Sequence, residues 1–334
     1  MEDLTRREIL FKGAGLALVT LGGALALPGG AGAIKQNEAT KKMTVIKLGY
    51  LPLTDHLTII ALARMNFREV QVEPIKFSSW KDLAAALKGG AVDAAFALTP
   101  IGLELRRNQA PIKAILLGHR NGSVVTVKIG EEIKSVADLA GKKIAVPSRF
   151  STHNILIRKI LDDRKIDPSK VELLEMAPPE MVQSLASGQI QAFIVAEPFG
   201  AQAEMQKVGR VLILSKDIWP NHICCVLNIH EQFIKDNRTA VQELVDGLVD
   251  AGGFITREPQ QAAKLSLGYL GQRPEVIAHV LTTPRDRVTF DQLFPTREDF
   301  AVTQSLMTRF KIAEGTVNLD EYIDPSFARK AYKL

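Results

Sequence analysis

The residues able to do chemistry fall in short clusters. Ser151-Thr152-His153 opens a run with helical spacing. A Ser or Thr cap there would present free backbone N–H groups and the positive end of the helix dipole, a ready site for an anion. A protonated His153 would add a charged donor; the plainer reading is an ordinary cap with His153 facing solvent. Asp55 and His56 sit in Leu51-Pro52-Leu53-Thr54-Asp55-His56, and Asp55 could equally cap a helix beginning at Leu57. Trp80, Thr99-Pro100 and Glu197-Pro198 each follow an apolar, strand-like run, and His222 closes Trp219-Pro220-Asn221-His222. Glu197 is a poor partner for an anion. It could bind a ligand amine, brace His153 or repel the wrong anion. His222 could equally be a packed structural histidine.

A catalytic reading has little to stand on. The chain has no Gly-x-Ser-x-Gly elbow, no phosphate-cradling glycine loop and no His-Glu-x-x-His helix. The six histidines, at 56, 119, 153, 222, 230 and 279, are dispersed, and only a fold could gather some of them. The two cysteines, Cys224 and Cys225, are neighbours in Ile223-Cys224-Cys225-Val226-Leu227. Adjacent cysteines rarely pair with each other, and two cysteines make no metal site without partners at ligand spacing. They read as buried strand residues. No metal and no cofactor is expected, and the chain does not read as an enzyme.

The elements that must position these clusters show a repeat. Leu87-Lys88-Gly89-Gly90-Ala91-Val92 leads to Thr99-Pro100, and Leu185-Ala186-Ser187-Gly188-Gln189-Ile190 leads to Glu197-Pro198. Each copy reads as a helix end, a glycine cap, a short buried strand and a proline that stops it. A helix delivering a strand into a sheet is an α/β unit, so its recurrence predicts two similar lobes. Val45–Tyr50, Val70–Phe77, Ala94–Leu98 and Ile112–Leu117 read as strands of the first. Ile144–Val146, Val171–Met176, the second repeat strand and Val211–Ile213 read as strands of the other. Helices are expected over Leu57–Met65, 81–88, from Ser151 to about Arg164, and Pro179–Ala186. Extended crossings near Val124–Lys128 and Cys224–Ile229 would join the lobes. The largely helical remainder, with an apolar face of Val241, Leu244, Val245, Leu248 and Val249, would return to cover the first lobe. Ligands of such folds sit beyond the C-terminal strand ends, where the clusters above would meet.

Composition is that of an ordinary globular protein. The 334 residues are 46% hydrophobic and 24% charged, with a net charge of +5 that is scattered rather than clustered. Nucleic-acid binding is therefore not indicated. The amino terminus reads as an export signal: Thr5-Arg6-Arg7 with Lys12, a nearly uncharged stretch from Gly13 to Pro28, then Ala31-Gly32-Ala33. The paired arginines point to the twin-arginine route. The apolar stretch is short and weak for a span of ~20 residues. Cleavage after Ala33 and a flexible leader over 34–43 are expected, with no cysteine nearby to carry a lipid anchor.

Several stretches together resemble periplasmic substrate-binding proteins of ABC importers, in the branch of nitrate, bicarbonate, sulfonate and taurine binders. They are Gly49-Tyr50-Leu51-Pro52-Leu53-Thr54-Asp55, Val136–Pro147, Pro178-Pro179-Glu180-Met181-Val182 and Gly188–Gln202. The resemblance runs from about residue 44 to about 265. It implies a two-lobe periplasmic-binding-protein fold of type II, with lobe I at 44–125 and 224–334 and lobe II at 126–223. It also implies a monomer in the periplasm that delivers a small anion to ABC permease and ATPase subunits. In nitrate-type relatives a His at the helix start and a Trp after the second strand contact the anion, positions matched by His153 and Trp80. Those relatives use a Lys near the second crossing, where this chain offers His222. A neutral heterocycle such as a thiamine-pyrimidine precursor, or an enzyme on the same fold, remains the alternative.

Overall fold

Two five-stranded sheets of the same order carry the architecture, as seen in a computed structural model that describes residues 42–334. The first holds β1 (Thr44–Tyr50), β2 (Val70–Lys76), β3 (Ala94–Leu98), β4 (Ile112–Leu117) and β11 (Cys225–His230), ordered β2-β1-β3-β11-β4. The second holds β6 (Ser123–Lys128), β7 (Lys143–Val146), β8 (Glu172–Glu175), β9 (Ala192–Ala196) and β10 (Gly209–Leu214), ordered β8-β7-β9-β6-β10. The repeat strands β3 and β9 hold the same place in each. Each runs parallel to β1 or β7 on one side and antiparallel to β11 or β6 on the other. Buried along their whole length, they show no polar alternation, as a strand covered on both faces must.

The sheets exchange strands. The chain leaves β4, passes through β5 (Arg120–Asn121) and enters the second sheet as β6. It returns after β10 and enters the first sheet as β11. The two crossings lie side by side: the Asn121 N–H donates to the His222 carbonyl at 3.0 Å, and the Gly118 N–H to the Cys225 carbonyl at 2.8 Å. The two-residue β12 (Val288–Thr289) pairs with β5, so the C-terminal region also reaches this junction.

Local chemistry accounts for the element ends. The helix Pro178–Ser187 stops at Gly188, whose φ of +81 lies in the left-handed region that favours glycine. In the first copy Gly89 stays right-handed, and Gly90 takes the positive φ, +72, one residue later than a simple cap. A single helix over Leu57–Met65 is not formed. The chain makes a 3-10 turn over Thr54–Ile60 and a short helix over Ala61–Arg64. His56 departs from helical dihedrals there, and its Nδ1 accepts from the Leu51 N–H at 2.9 Å.

The C-terminal helices do more than cover the first lobe. The helix Arg238–Arg257 buries Val241, Leu244, Val245 and Leu248 and packs on the Thr54–Ile60 turn. Burying each such side chain is worth ~1.5–3 kcal/mol. The helix Pro274–Thr282 instead packs on Phe199–Met205, which follows β9. The helix Arg297–Arg309 touches both Thr99–Arg107 and Thr152–Asp163. This region therefore bridges both sheets, because its apolar positions are not confined to one helix. Among the described residues no helix is long and apolar enough to cross a membrane. The expected signal peptide, 1–33, and most of the 34–43 leader lie outside the described residues.

Candidate functional site

All nine residues singled out in the sequence are buried, none more than 1% exposed. For eight polar side chains and a tryptophan this is costly unless every polar atom is bonded. Six of the nine carry an atom with no partner among the described residues: Asp55 Oδ1, His56 Nε2, Trp80 Nε1, Thr152 Oγ1, His153 Nδ1 and His222 Nε2. These orphans come from loops and helix starts beside strands of both sheets.

The loop after β1 supplies the first group. His56 Nδ1 lies 2.9 Å from the Leu51 nitrogen and 3.1 Å from the Leu51 carbonyl oxygen, and its Nε2 has no partner among the described residues. The His56 ring stacks on Phe96 of β3, centroids 5.2 Å apart, and meets Trp80 edge-on at 5.6 Å. Trp80 is not in a loop. It is the first residue of the helix Trp80–Lys88, capped by Ser79, whose Oγ accepts from the Asp82 N–H at 3.2 Å. Its ring belongs to the core of the first half, with only the indole N–H unsatisfied.

The second sheet supplies the helix start. Ser151 is the N-cap of Thr152–Asp163, its Oγ accepting from the Asn154 N–H at 3.0 Å and donating to the Ser148 carbonyl at 2.6 Å. His153 does not face solvent, and the protonated donor expected there is not formed. Burial, with His222 and His119 nearby, lowers it to about 3, so the ring is neutral. Its Nε2 lies 3.0 Å from Ser123 Oγ. His222 is held the same way: burial takes it to about 3, and Nδ1 donates to the Trp219 carbonyl at 2.7 Å, leaving Nε2 a bare acceptor. Thr99 is spent on the fold, its N–H and hydroxyl both donating to the Cys224 carbonyl at 2.7 and 3.0 Å.

Three residues complete the site that the motifs did not single out. His119, on the first crossing, is the common neighbour, its charge felt by His56, His153 and His222. Its Nε2 lies 2.9 Å from Asp55 Oδ2, and Asp55 outweighs burial to raise it to about 10. Asp55 is thus this histidine's partner rather than a helix cap. Arg287, just before β12, places Nη1 3.0 Å from Glu197 Oε1 and leaves its Nε without a partner. Burial pushes the Glu197 carboxyl up to about 7, against Arg287 and the Ala201 N–H, which hold it down. Glu197 therefore braces an arginine, not His153. Asn121, on β5, adds another unpartnered oxygen. His119 follows Gly118 at the C-terminal end of β4, the place where ligand-facing residues of such sheets gather, and that position was its signal. Arg287 had none, since it stands in a stretch that reads as helical cover.

Comparison with known proteins places this geometry. The model of the NMT1-like family matches residues 39–267. The chain belongs to that family. Among curated proteins, this NMT1-like chain is 29% identical to the nitrate import ATP-binding protein NrtC of Synechocystis sp. That match covers 62% of this chain and 34% of NrtC. It is 26% identical to the nitrate/nitrite binding protein NrtA of Nostoc sp., over 64% of this chain and 54% of NrtA. It thus spans about a third and about half of these two relatives. Among solved structures, the ligand-binding component of an ABC-type import system from Staphylococcus aureus, with zinc bound, has a TM-score of 0.79 and 26% identity. That match covers 86% of this chain and 99% of the other. The expected periplasmic-binding-protein fold is the one observed.

Proposed function

We propose that this NMT1-like protein is the solute-binding component of an ABC importer, capturing a small, singly charged anion between its two sheets. The observation that carries this reading is the set of orphaned donors in a fully buried space. Trp80 Nε1–H and Arg287 Nε–H are left without acceptors, His56 Nε2 is likewise unpartnered, and Thr152 and His153 wait at a helix start. Buried donors are normally satisfied, and an acceptor-rich oxyanion would satisfy these.

The charges favour a monoanion. Asp55 is matched by His119, Glu197 by Arg287, and Arg120 by Asp299 at 2.8 Å. Glu197, pushed up to about 7, can take up a proton and release the Arg287 charge to one anionic charge, whereas a dianion would bring a second with no buried counterion, a costly transfer. A neutral heterocycle is the competing occupant, since the neutral rings of His56, His153 and His222 would also bond it. A binder rather than an enzyme fits these groups, because Glu197 and the histidines are tied to protein partners.

The relatives support the wider role. NrtA is a nitrate/nitrite binding protein, and NrtC is an import ATP-binding protein. We read the chain as exported by its twin-arginine signal to the periplasm as a monomer, delivering to permease and ATPase subunits. We place its lobes at 44–125 with 224–334 and at 126–223. The test is a thermal-shift and calorimetric screen of nitrate, bicarbonate, methanesulfonate, sulfate and an aminopyrimidine. A ligand at 100 times its dissociation constant adds ~2.7 kcal/mol of stability. Stabilisation by a monoanion and not by sulfate is expected. Stabilisation by the pyrimidine alone would replace the anion reading.

A further inference from the structure

Two cysteines alone could not make a metal site, but the fold brings them partners. Asp55, from the loop after β1, and His119, on the first crossing, meet Cys224 and Cys225 on the second. One ligand atom from each of the four lies within 4.8 Å of all the others. All four residues have no solvent exposure. Successive residues of an extended strand point to opposite faces, so both sulfurs could not share a site on regular strand geometry. They share one here because β11 begins only at Cys225.

We propose that Asp55, His119, Cys224 and Cys225 bind a thiophilic divalent cation of the zinc class where the two crossings run side by side. The donor set decides the class. Two thiolates, one imidazole and one carboxylate suit zinc, whereas calcium and magnesium take oxygen ligands. Tetrahedral coordination with ordinary Zn–N, Zn–O and Zn–S lengths puts N and O about 3.4 Å apart and S and O about 3.6 Å apart. The corresponding separations are 2.9 Å for His119 Nε2 to Asp55 Oδ2 and 3.8 Å for Cys225 Sγ to Asp55 Oδ2. These two separations need adjustments of a few tenths of an ångström, and the remaining ones lie within 4.8 Å.

Two further atoms point to an occupant. Asp55 Oδ1 and His119 Nδ1 are buried and without partners, and both border the point where a Cβ on Gly122 would sit, 3.0 Å from each. With the cation on Nε2, Nδ1 would carry the imidazole proton, the donor that in metal sites commonly orients the histidine through an outer hydrogen bond. Coordination requires both thiols as thiolates and the ring neutral, so uptake expels their protons to solvent. The ion would tie Asp55, in the first lobe, to both crossings, and so set the position from which the lobes swing.

The experiment titrates Co2+ and then Zn2+ into the full chain after reduction and treatment with a chelator. Stoichiometric uptake is expected, with thiolate-to-cobalt charge-transfer bands and tetrahedral visible bands that Zn2+ abolishes. Cys224→Ser and Cys225→Ser should each lose part of the charge-transfer intensity. Each should also weaken Zn2+ binding by ~100-fold or more, the upper end of what losing even a supporting residue costs. Where either variant fails to fold, the wild-type cobalt spectrum decides alone. Uptake without thiolate bands, or no stoichiometric uptake, overturns the proposal. The anion screen run with chelator present reads out separately, so the metal and the anion readings fail independently.

Discussion

Thr54 donates both its N–H and its hydroxyl to the carbonyl of Glu197, at 2.9 and 2.7 Å. One residue follows β1 and the other follows β9, so this pair is a latch between the two sheets. All nine candidate residues are at most 1% exposed. A ligand can enter only if the lobes part, as in hinged binding proteins. Thr54→Val keeps the shape and removes one of the two bonds. A net hydrogen bond is worth ~0.5–1.5 kcal/mol, so ligand affinity by calorimetry should fall by about 2- to 12-fold. Undiminished affinity would mean that the latch is not part of closure.

Trp80 separates two roles by substitution. Its ring is 1% exposed and packed in the core, so Trp80→Ala should cost ~3–5 kcal/mol in denaturant unfolding, as large-to-small core changes do. Trp80→Phe keeps most of the ring and removes only the orphaned indole N–H. It should retain the fold and weaken ligand binding by ~1 kcal/mol, the worth of one hydrogen bond. Equal binding by Trp80→Phe and wild type would exclude the indole from ligand contact.

The sequence made the frame legible because the relevant signals are local. Ala94–Leu98 and Ile112–Leu117 are strands within the very bounds their apolar runs predict, and Gly188 caps its helix as read. The cap at Ser151 was equally plain. What stayed hidden depends on contacts far apart in the chain. Asp55 finds His119 and Cys225, Glu197 finds Arg287, and no spacing rule reports pairs separated by 64, 170 and 90 positions. Burial was hidden for the same reason. A histidine next to a cap looks solvated in sequence, and only the packing of Thr152–Asp163 against β9 and Arg297–Arg309 removes its water and its proton.

Arg287 should carry much of the anion selectivity. It is the cation whose Nε remains free after its Nη1 has paired with Glu197. Arg287→Gln removes a charged donor, a loss of ~1.5–3 kcal/mol for a hydrogen bond to a charged group. Affinity for the anion should fall by the corresponding ~10- to 150-fold in calorimetry at fixed ionic strength. The variant should still fold, because Glu197 already leans toward its neutral form and can take up a proton in place of its lost partner. A folded Arg287→Gln protein with wild-type affinity would move the anion elsewhere in the site.

His153 sets the pH dependence of stability rather than of anion charge. Its ordinary value of 6.5 in the unfolded chain falls to about 3 in the folded one, chiefly through burial. Between those values the unfolded state holds more protons, so stability rises with pH there. The full contribution is present above about 6.5 and erodes as pH falls toward 3. His153→Gln, which keeps a polar group near Ser123 Oγ but does not titrate in this range, should reduce the fall in Tm across that window without abolishing it, because His56 and His222, also lowered to about 3, remain. Anion affinity, by contrast, should show no step near pH 6.5 attributable to His153, because the ring is neutral on both sides of it. Calorimetric titrations from pH 5.5 to 8, flanking that ordinary value, check this in wild type and variant together. A step near 6.5 that His153→Gln removes would show that the ring takes up a proton when the anion binds.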